Sequence, residues 1–188
     1  MNKKATKKLA LAAMFLALGL VLPFATAHIS QIGRMFLPMH IPVLLCGLIC
    51  GWQYGGAVGF ICPLLGFSLF SSPKMPDAIG MAFELATYGL IVGLVYGLSK
   101  WKCIYSLYRA MIIAMIGGRL VWGVARVIMV GVGAANMPFG WEAFLAGAVL
   151  TAWPGIILQL ILIPAIMVAL DKAKLVPFSK TRSAGTPQ

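Results

Sequence analysis

The chain has 188 residues, of which 61% are hydrophobic and only 10% are charged, and its formal net charge is +11. Soluble domains are closer to half apolar and a quarter charged, so this composition excludes a water-soluble globule and indicates an integral membrane protein. Eleven of the fifteen basic residues form three clusters of four, three and four beside apolar segments. This distribution is typical of loops held on the cytoplasmic side of a membrane and argues against nucleic-acid binding.

Six apolar segments follow one another along the chain, at residues 9–24, 39–50, 54–70, 78–98, 110–132 and 143–170. The first follows a lysine-rich start and precedes Ala25-Thr26-Ala27, so it fits either a secretory signal with its cleavage site or an uncleaved first helix. We favour the uncleaved helix, because the part that follows is itself embedded in the membrane and needs no export signal.

The second segment has only twelve residues, whereas a helix that crosses a bilayer takes roughly 20. It is therefore either a short helix that begins below the membrane surface or half of a re-entrant pair with the third segment. Both alternatives place the three basic clusters on one side of the membrane. The sequence thus predicts an all-α integral membrane protein with six transmembrane segments and cytoplasmic N- and C-termini. Residues 1–175 form a single membrane-embedded domain, and residues 176–188 form a cytoplasmic tail that we expect to be disordered.

Two arginines lie at membrane depth in the fifth segment. Arg119, Trp122 and Arg126 are spaced i, i+3, i+7, so they share one face of a helix. A charged side chain inside a bilayer is costly unless it faces a partner or a water-filled cavity. This face therefore predicts a polar site within the bundle.

The fourth segment offers the matching acids. Glu84 and Tyr88 share a face with Asp77, which lies at the start of the segment, where the helix dipole favours an acid. We expect Glu84 to pair with one arginine and to leave the other without an acidic partner. The remaining positive charge predicts a ligand with a negative charge or a strong hydrogen-bond acceptor. Depth along the helix assigns Arg119 to Glu84 and Arg126 to the ligand.

Three further residues are candidates for the same site. His40 fits either a cap over the pocket or an ordinary interfacial histidine, and Gln159 fits either the pocket or a hydrogen bond to a neighbouring helix. Asn136 lies in an outer loop, where a lid would be. The chain shows no nucleophile–base pair, no phosphate-binding loop and no metal-ligand spacing. We therefore expect no catalytic residue, no metal ion, no cofactor and no enzymatic activity.

Two stretches, MFLPMHIPVLLCGLICGWQYGGAVGF and MAFELATYGLIVGLVYG, together with the basic N-terminus and the six segments, resemble the S components of energy-coupling factor (ECF) transporters. The resemblance covers nearly the whole chain. It implies that residues 1–175 are a substrate-binding domain that captures one water-soluble vitamin with high affinity at a bacterial cell membrane. It also implies a partner, the ECF module, which consists of a transmembrane scaffold subunit and two cytoplasmic ATPases.

The resemblance further implies a contact surface and a class of substrate. In this family a small-residue motif on the first helix contacts the scaffold subunit, and Ala10, Ala13 and Ala17 match it here. The unpaired positive charge favours pantothenate, with riboflavin or another vitamin as the alternative, since Trp122 and Tyr88 would supply part of a stacking site. Two other classes stay open: a membrane assembly or scaffold protein that binds no small molecule and uses its arginine–glutamate pair only structurally, and a small uniporter.

Overall fold

The computed structural model describes residues 3–26, 37–71, 73, 75, 77–133 and 152–173. Within these residues the protein is all-helical, with α1 (Lys3–Thr26), α2 (His40–Cys50), α3 (Trp52–Phe70), α4 (Asp77–Leu98), α5 (Ile104–Gly131) and α6 (Trp153–Lys172). Asn136 and the tail 176–188 lie outside the described residues.

Five helices are long and apolar enough to cross a membrane, and α2 is the short one. Each of the six apolar segments therefore overlaps one helix, and residues 143–151 of the sixth segment lie outside the described residues. Helix α5 begins at Ile104, six residues before the start predicted from hydropathy. The reason is that its first turns carry Tyr105, Ser106 and Arg109, which a helix accommodates but which lower the local hydropathy.

Helix α2 begins inside the bundle. Ten of its eleven residues are buried, and its first residue, His40, is only 1% exposed. Helix α3 has 19 residues and is long enough to cross a membrane alone. Gly51 joins the two helices with a φ of 102°, a conformation that glycine adopts far more easily than other residues. The structure thus shows a short helix whose first residue is buried within the bundle, and the choice between the two alternatives stays a prediction.

Glycines bring helices α2, α3 and α4 into backbone contact. A Cβ atom added to Gly55 would lie 2.6 Å from the Cα atom of Gly47 and 2.7 Å from the carbonyl oxygen of Gly89. Such close approach is how helices gain packing energy in lipid, where the hydrophobic effect does not drive them together. It holds α4 rigidly at the centre of the bundle, between α3 and α5.

The described members of the three basic clusters lie at one end of the bundle. Lys8 of α1 is within electrostatic range of Cys50, at the end of α2. The turn between α2 and α3 packs against the last turns of α4, where Lys102 donates to the carbonyl oxygen of Tyr96. Asp171, beside the last lysine of α6, is within electrostatic range of Tyr96 as well. We refer to this end as the basic end; Asp77 marks the opposite one.

Candidate functional site

Helices α4 and α5 run antiparallel and are joined by two ion pairs. The Nη1 atom of Arg119 lies 2.9 Å from Oε1 of Glu84, and Nη1 of Arg126 lies 2.5 Å from Oδ1 of Asp77. The two acids are seven residues apart on α4, and the two arginines are seven apart on α5. Because seven residues make nearly two full helical turns, both pairs lie along the same facing surfaces of the two helices.

The expectation that one arginine lacks an acidic partner is wrong. Asp77 is the first residue of α4. An acid is favoured there by the helix dipole alone, so its presence did not require an arginine partner. The antiparallel register of α4 and α5 nevertheless brings Arg126 to the same level. The equal spacing of seven on both helices is the sequence signal that points to this second pair. Arg126 also lies over the ring of Trp122, with 5.8 Å between its Cζ atom and the ring centroid.

The two ion pairs differ in their exposure to solvent. The side chains of Arg119 and Glu84 are 13% and 2% exposed, whereas those of Arg126 and Asp77 are 24% and 55% exposed. A buried carboxylate depends on its partners, because removing one leaves an uncompensated charge in a medium of low dielectric constant. A pair that is largely accessible contributes little to stability. The polar centre of the bundle is therefore Glu84 and not Asp77.

Three side chains from three helices surround Glu84. His40 of α2 has its Nε2 atom 3.5 Å from Oε1 of Glu84, and its ring meets that of Tyr88 edge to face at 5.1 Å. The Tyr88 hydroxyl interacts with both Glu84 and Arg119. The positive end of the α2 dipole lies at His40 and favours the negative charge of Glu84. We call His40, Glu84, Tyr88 and Arg119 the Glu84 cluster.

A glycine makes room for this cluster. A Cβ atom added to Gly118 of α5 would lie 2.8 Å from the ring of Tyr88. The absence of a side chain at this position lets Tyr88 lie flat between α4 and α5, one residue from Arg119. Gly118 is not among the residues predicted for the site, although it directly precedes Arg119 in the sequence.

Several buried nitrogen atoms have no hydrogen-bond partner among the described residues. In the Glu84 cluster they are Nε and Nη2 of Arg119 and Nδ1 and Nε2 of His40, and outside the cluster Nε2 of Gln159 is another. Buried polar groups in folded proteins almost always have a partner, so a ligand, a water molecule or another part of the chain completes this network. The Nε and Nη2 atoms form one edge of the guanidinium group, which binds a carboxylate or a similar planar acceptor through two parallel hydrogen bonds. Within the described residues, no group of His, Cys, Asp and Glu side chains has the arrangement that a metal ion requires.

Gln159 lies apart from the Glu84 cluster. It is 1% exposed, but its neighbour Leu160 accepts a hydrogen bond from the hydroxyl of Tyr108 at 3.1 Å. Tyr108 precedes Arg119 by about three helical turns on α5, so Gln159 is closer to the basic end than the cluster is. Of the predicted site residues, the structure thus brings together Arg119, Glu84, Tyr88 and His40, and places Trp122 and Arg126 at the next level along α5.

The three alanines of α1 lie on its outer surface. Ala10, Ala13 and Ala17 are exposed, whereas Ala12 and Phe15 face the bundle and are 4% and 6% exposed. The surface that they form is therefore not used for packing within the described bundle. Their contact with a scaffold subunit stays a prediction.

Comparison with known proteins adds a family to this geometry. A family model described as "ECF transporter, substrate-specific component" matches residues 7–167. The search of curated proteins and the search of solved structures found no match. The family match runs from α1 to the last turns of α6 and includes the whole Glu84 cluster. This multi-pass membrane protein therefore belongs to the family of substrate-specific components of ECF transporters.

Proposed function

We propose that the chain is the high-affinity substrate-binding subunit of an ECF-type transporter that imports a water-soluble vitamin across a bacterial cell membrane. The family match supports a substrate-binding role and an ECF module as partner. The gathering of basic residues at one end supports a topology with the N- and C-termini in the cytoplasm. In that topology the Asp77 end faces outwards, and the substrate reaches the Glu84 cluster from that end.

The observation that supports a ligand most directly is the unused edge of Arg119. This arginine holds Glu84 with Nη1 alone and leaves Nε and Nη2 without a partner among the described residues. A donor edge of this kind is fixed in place by the ion pair on its other side and so is already oriented before a ligand binds. We therefore assign the ligand contact to Arg119, which reverses the roles expected from helix depth, and we assign Arg126 to the accessible pair with Asp77.

The geometry favours pantothenate over riboflavin as the substrate. Pantothenate carries a carboxylate, which matches the Nε–Nη2 edge of Arg119. Riboflavin needs an open aromatic face for stacking, but Tyr88 is 1% exposed and already packs against the His40 ring. Trp122 is the remaining aromatic candidate, and Arg126 lies over its ring. The match between a carboxylate and the donor edge of Arg119 therefore replaces a surplus positive charge as the reason for pantothenate.

One observation favours the runner-up, a membrane assembly protein that binds no small molecule. Arg119 and Arg126 each have a carboxylate partner, so the charges of these two pairs balance without a ligand. A purely structural role would leave the two donors of Arg119 to water or to other parts of the chain. The two proposals therefore differ in whether a vitamin binds to the purified protein.

Calorimetry and thermal unfolding of the purified protein in detergent test this proposal. We expect pantothenate to bind and, at about 100 times its Kd, to raise the free energy of unfolding by about 2.7 kcal/mol. Binding of riboflavin in place of pantothenate would keep the substrate-binding role and overturn the assignment of the vitamin. A panel of water-soluble vitamins that leaves the melting temperature unchanged would overturn the role itself in favour of the assembly protein.

A further inference from the structure

A second polar feature lies at the basic end, far from the Glu84 cluster. A cleft of about 600 Å³ opens between the end of α4 and the first turns of α5. Its lining includes Lys100, Trp101, Tyr105 and Arg109. Arg109 precedes Arg119 by ten residues on the same helix, which is about 15 Å along its axis. The cleft is thus separate from the proposed vitamin site.

Two cations in this cleft have no partner among the residues that the structure describes. Lys100 and Arg109 are both exposed, and neither makes a hydrogen bond or an ion pair within the described part of the chain. Lys102, in the same loop, has a different role, because its ammonium group donates to the carbonyl oxygens of Tyr96 and Gly97 at the end of α4. No acidic residue is among the described residues that line the cleft. Its charge therefore suits an anion.

An apolar groove continues from the cleft along α5. This groove has a volume of about 210 Å³ and is lined by Tyr105, Tyr108, Arg109, Ile112 and Ile113. It shares Tyr105 and Arg109 with the cleft. The side chains of Ile112 and Ile113 are 48% and 42% exposed, so the groove opens on the outer surface of a helix that is long and apolar enough to cross a membrane.

The order of these features along α5 matches the layers of a bilayer leaflet. Trp101 lies just before α5 and Tyr105 in its first turn, and aromatic residues at the end of a spanning helix lie at the level of the lipid headgroups. Lys100 and Arg109 share that level. Ile112 and Ile113 come one to two turns further along the helix, at the depth of the acyl chains.

We propose that the cleft and the groove together bind an anionic phospholipid. The phosphate and headgroup lie between Lys100 and Arg109, and one acyl chain lies in the groove against Tyr108, Ile112 and Ile113. Basic pockets beside membrane helices attract anionic headgroups in this way. A soluble phosphate would meet the two cations but leave the apolar groove empty, so the continuity of cleft and groove favours a lipid. The proposal does not depend on the identity of the vitamin or on its binding.

Native mass spectrometry of the full chain in detergent tests the site. The protein is mixed with palmitoyl-oleoyl phosphatidylglycerol or with phosphatidylcholine of the same chains, and the bound lipid is counted. We expect phosphatidylglycerol to be retained about tenfold more strongly than phosphatidylcholine. The double variant Lys100→Gln/Arg109→Gln should lose this preference. The matched control is Lys7→Gln/Lys8→Gln, which removes two exposed cations from the same end and should keep the preference.

A second pair of variants tests the groove. Ile113→Trp fills it and should weaken retention of phosphatidylglycerol, whereas Ile116→Trp, at a position that is 59% exposed and outside the groove, should not. Equal retention of the two lipids would overturn the site. So would an equal loss of the preference for phosphatidylglycerol in Lys100→Gln/Arg109→Gln and in its control, Lys7→Gln/Lys8→Gln. Displacement of the lipid by millimolar inorganic phosphate would also overturn the site, since the apolar groove would then contribute nothing to the affinity for the lipid. If Lys100→Gln/Arg109→Gln retains lipid normally but no longer joins the ECF module in phosphatidylcholine vesicles, the cleft is a protein contact instead.

Discussion

Arg119 contacts Glu84 through Nη1 at 2.9 Å, while its opposite edge, Nε and Nη2, has no partner among the described residues. One guanidinium group therefore has two separable roles: it neutralises a buried carboxylate, and it offers two donors to something else. A single substitution of Arg119 removes both. The roles separate only when the charge of Glu84 is removed together with that of Arg119.

Arg119→Gln should lower both stability and affinity. The variant leaves Glu84 buried and unpaired, so we expect the free energy of unfolding to fall by about 3 kcal/mol. Loss of the donor edge should also weaken vitamin binding by about 3 kcal/mol, or roughly a hundredfold. Thermal unfolding of the ligand-free protein and calorimetry with the vitamin measure the two effects separately.

The double variant Glu84→Gln/Arg119→Gln is the control for this prediction. It replaces the ion pair with two neutral amides and leaves no uncompensated buried charge, so most of the lost stability should return. Binding should stay weak, because the donor edge is still missing. A double variant that binds the vitamin as well as the unaltered protein would show that Arg119 holds helices together and does not contact the ligand.

Arg126→Gln should have a much smaller effect. Its partner Asp77 is more than half exposed, at 55%, while Arg126 is 24% exposed, and ion pairs that water reaches contribute at most about 1 kcal/mol. We expect Asp77→Asn to lower the melting temperature by a similar amount, and the two substitutions together to add little, since they remove the same interaction. Affinity for the vitamin should change less than in Arg119→Gln. A larger loss of affinity in Arg126→Gln would restore the assignment made from helix depth.

The packing of α2, α3 and α4 predicts a strong contrast between two glycines. A Cβ atom at Gly55 would collide with the backbone of Gly47, and overpacking of this kind lowers stability by about 1–3 kcal/mol. A Cβ atom at Gly97, also on a helix, would meet nothing within 4 Å. Gly55→Ala should therefore lower the melting temperature, whereas Gly97→Ala should leave it unchanged or raise it. Equal melting temperatures would mean that the helices move apart without penalty.

The apolar segments could be predicted from sequence because bilayer thickness and hydropathy set their length and composition. The place of the second segment in the bundle could not be predicted, since twelve apolar residues fit either alternative, and hydropathy reveals neither the turn at Gly51 nor the burial of His40. The buried pair of Glu84 and Arg119 followed from the cost of charge in a membrane. The second pair, Arg126 with Asp77, depended on the register between α4 and α5. Contacts such as that of Gly118 with Tyr88 determine this register.

Cys103 should react faster with thiol reagents than the other cysteines. It precedes α5, and hydrogen bonds from the backbone and the hydroxyl group of Ser106 lower the pKa of its thiol. The thiolate, which is the reactive form, is therefore present at a lower pH than in an ordinary cysteine. Ser106→Ala keeps the backbone bond but loses the hydroxyl, so the midpoint of a plot of alkylation rate against pH should rise. Cys46, Cys50 and Cys62 are buried and should stay unlabelled in the folded protein.

The last prediction concerns the outer surface of α1. Ala13 and Ala17 are exposed and lie four residues apart on one helix face. If the scaffold subunit packs closely against them, Ala13→Trp/Ala17→Trp should block assembly with the ECF module, as measured by co-purification, and should abolish vitamin uptake by cells. Binding of the vitamin to the isolated subunit should persist, because the Glu84 cluster belongs to α2, α4 and α5.

Ile116→Trp is the matched control. Ile116 is 59% exposed on α5, and this substitution also adds a large side chain to the outer surface of the bundle. It should leave assembly intact. Loss of vitamin binding in the alanine variant, to the same extent as loss of uptake, would mean that α1 packs differently and that its alanines support the fold. Normal assembly of the alanine variant would place the scaffold contact on another face, because two indoles cannot fit where helix backbones approach closely.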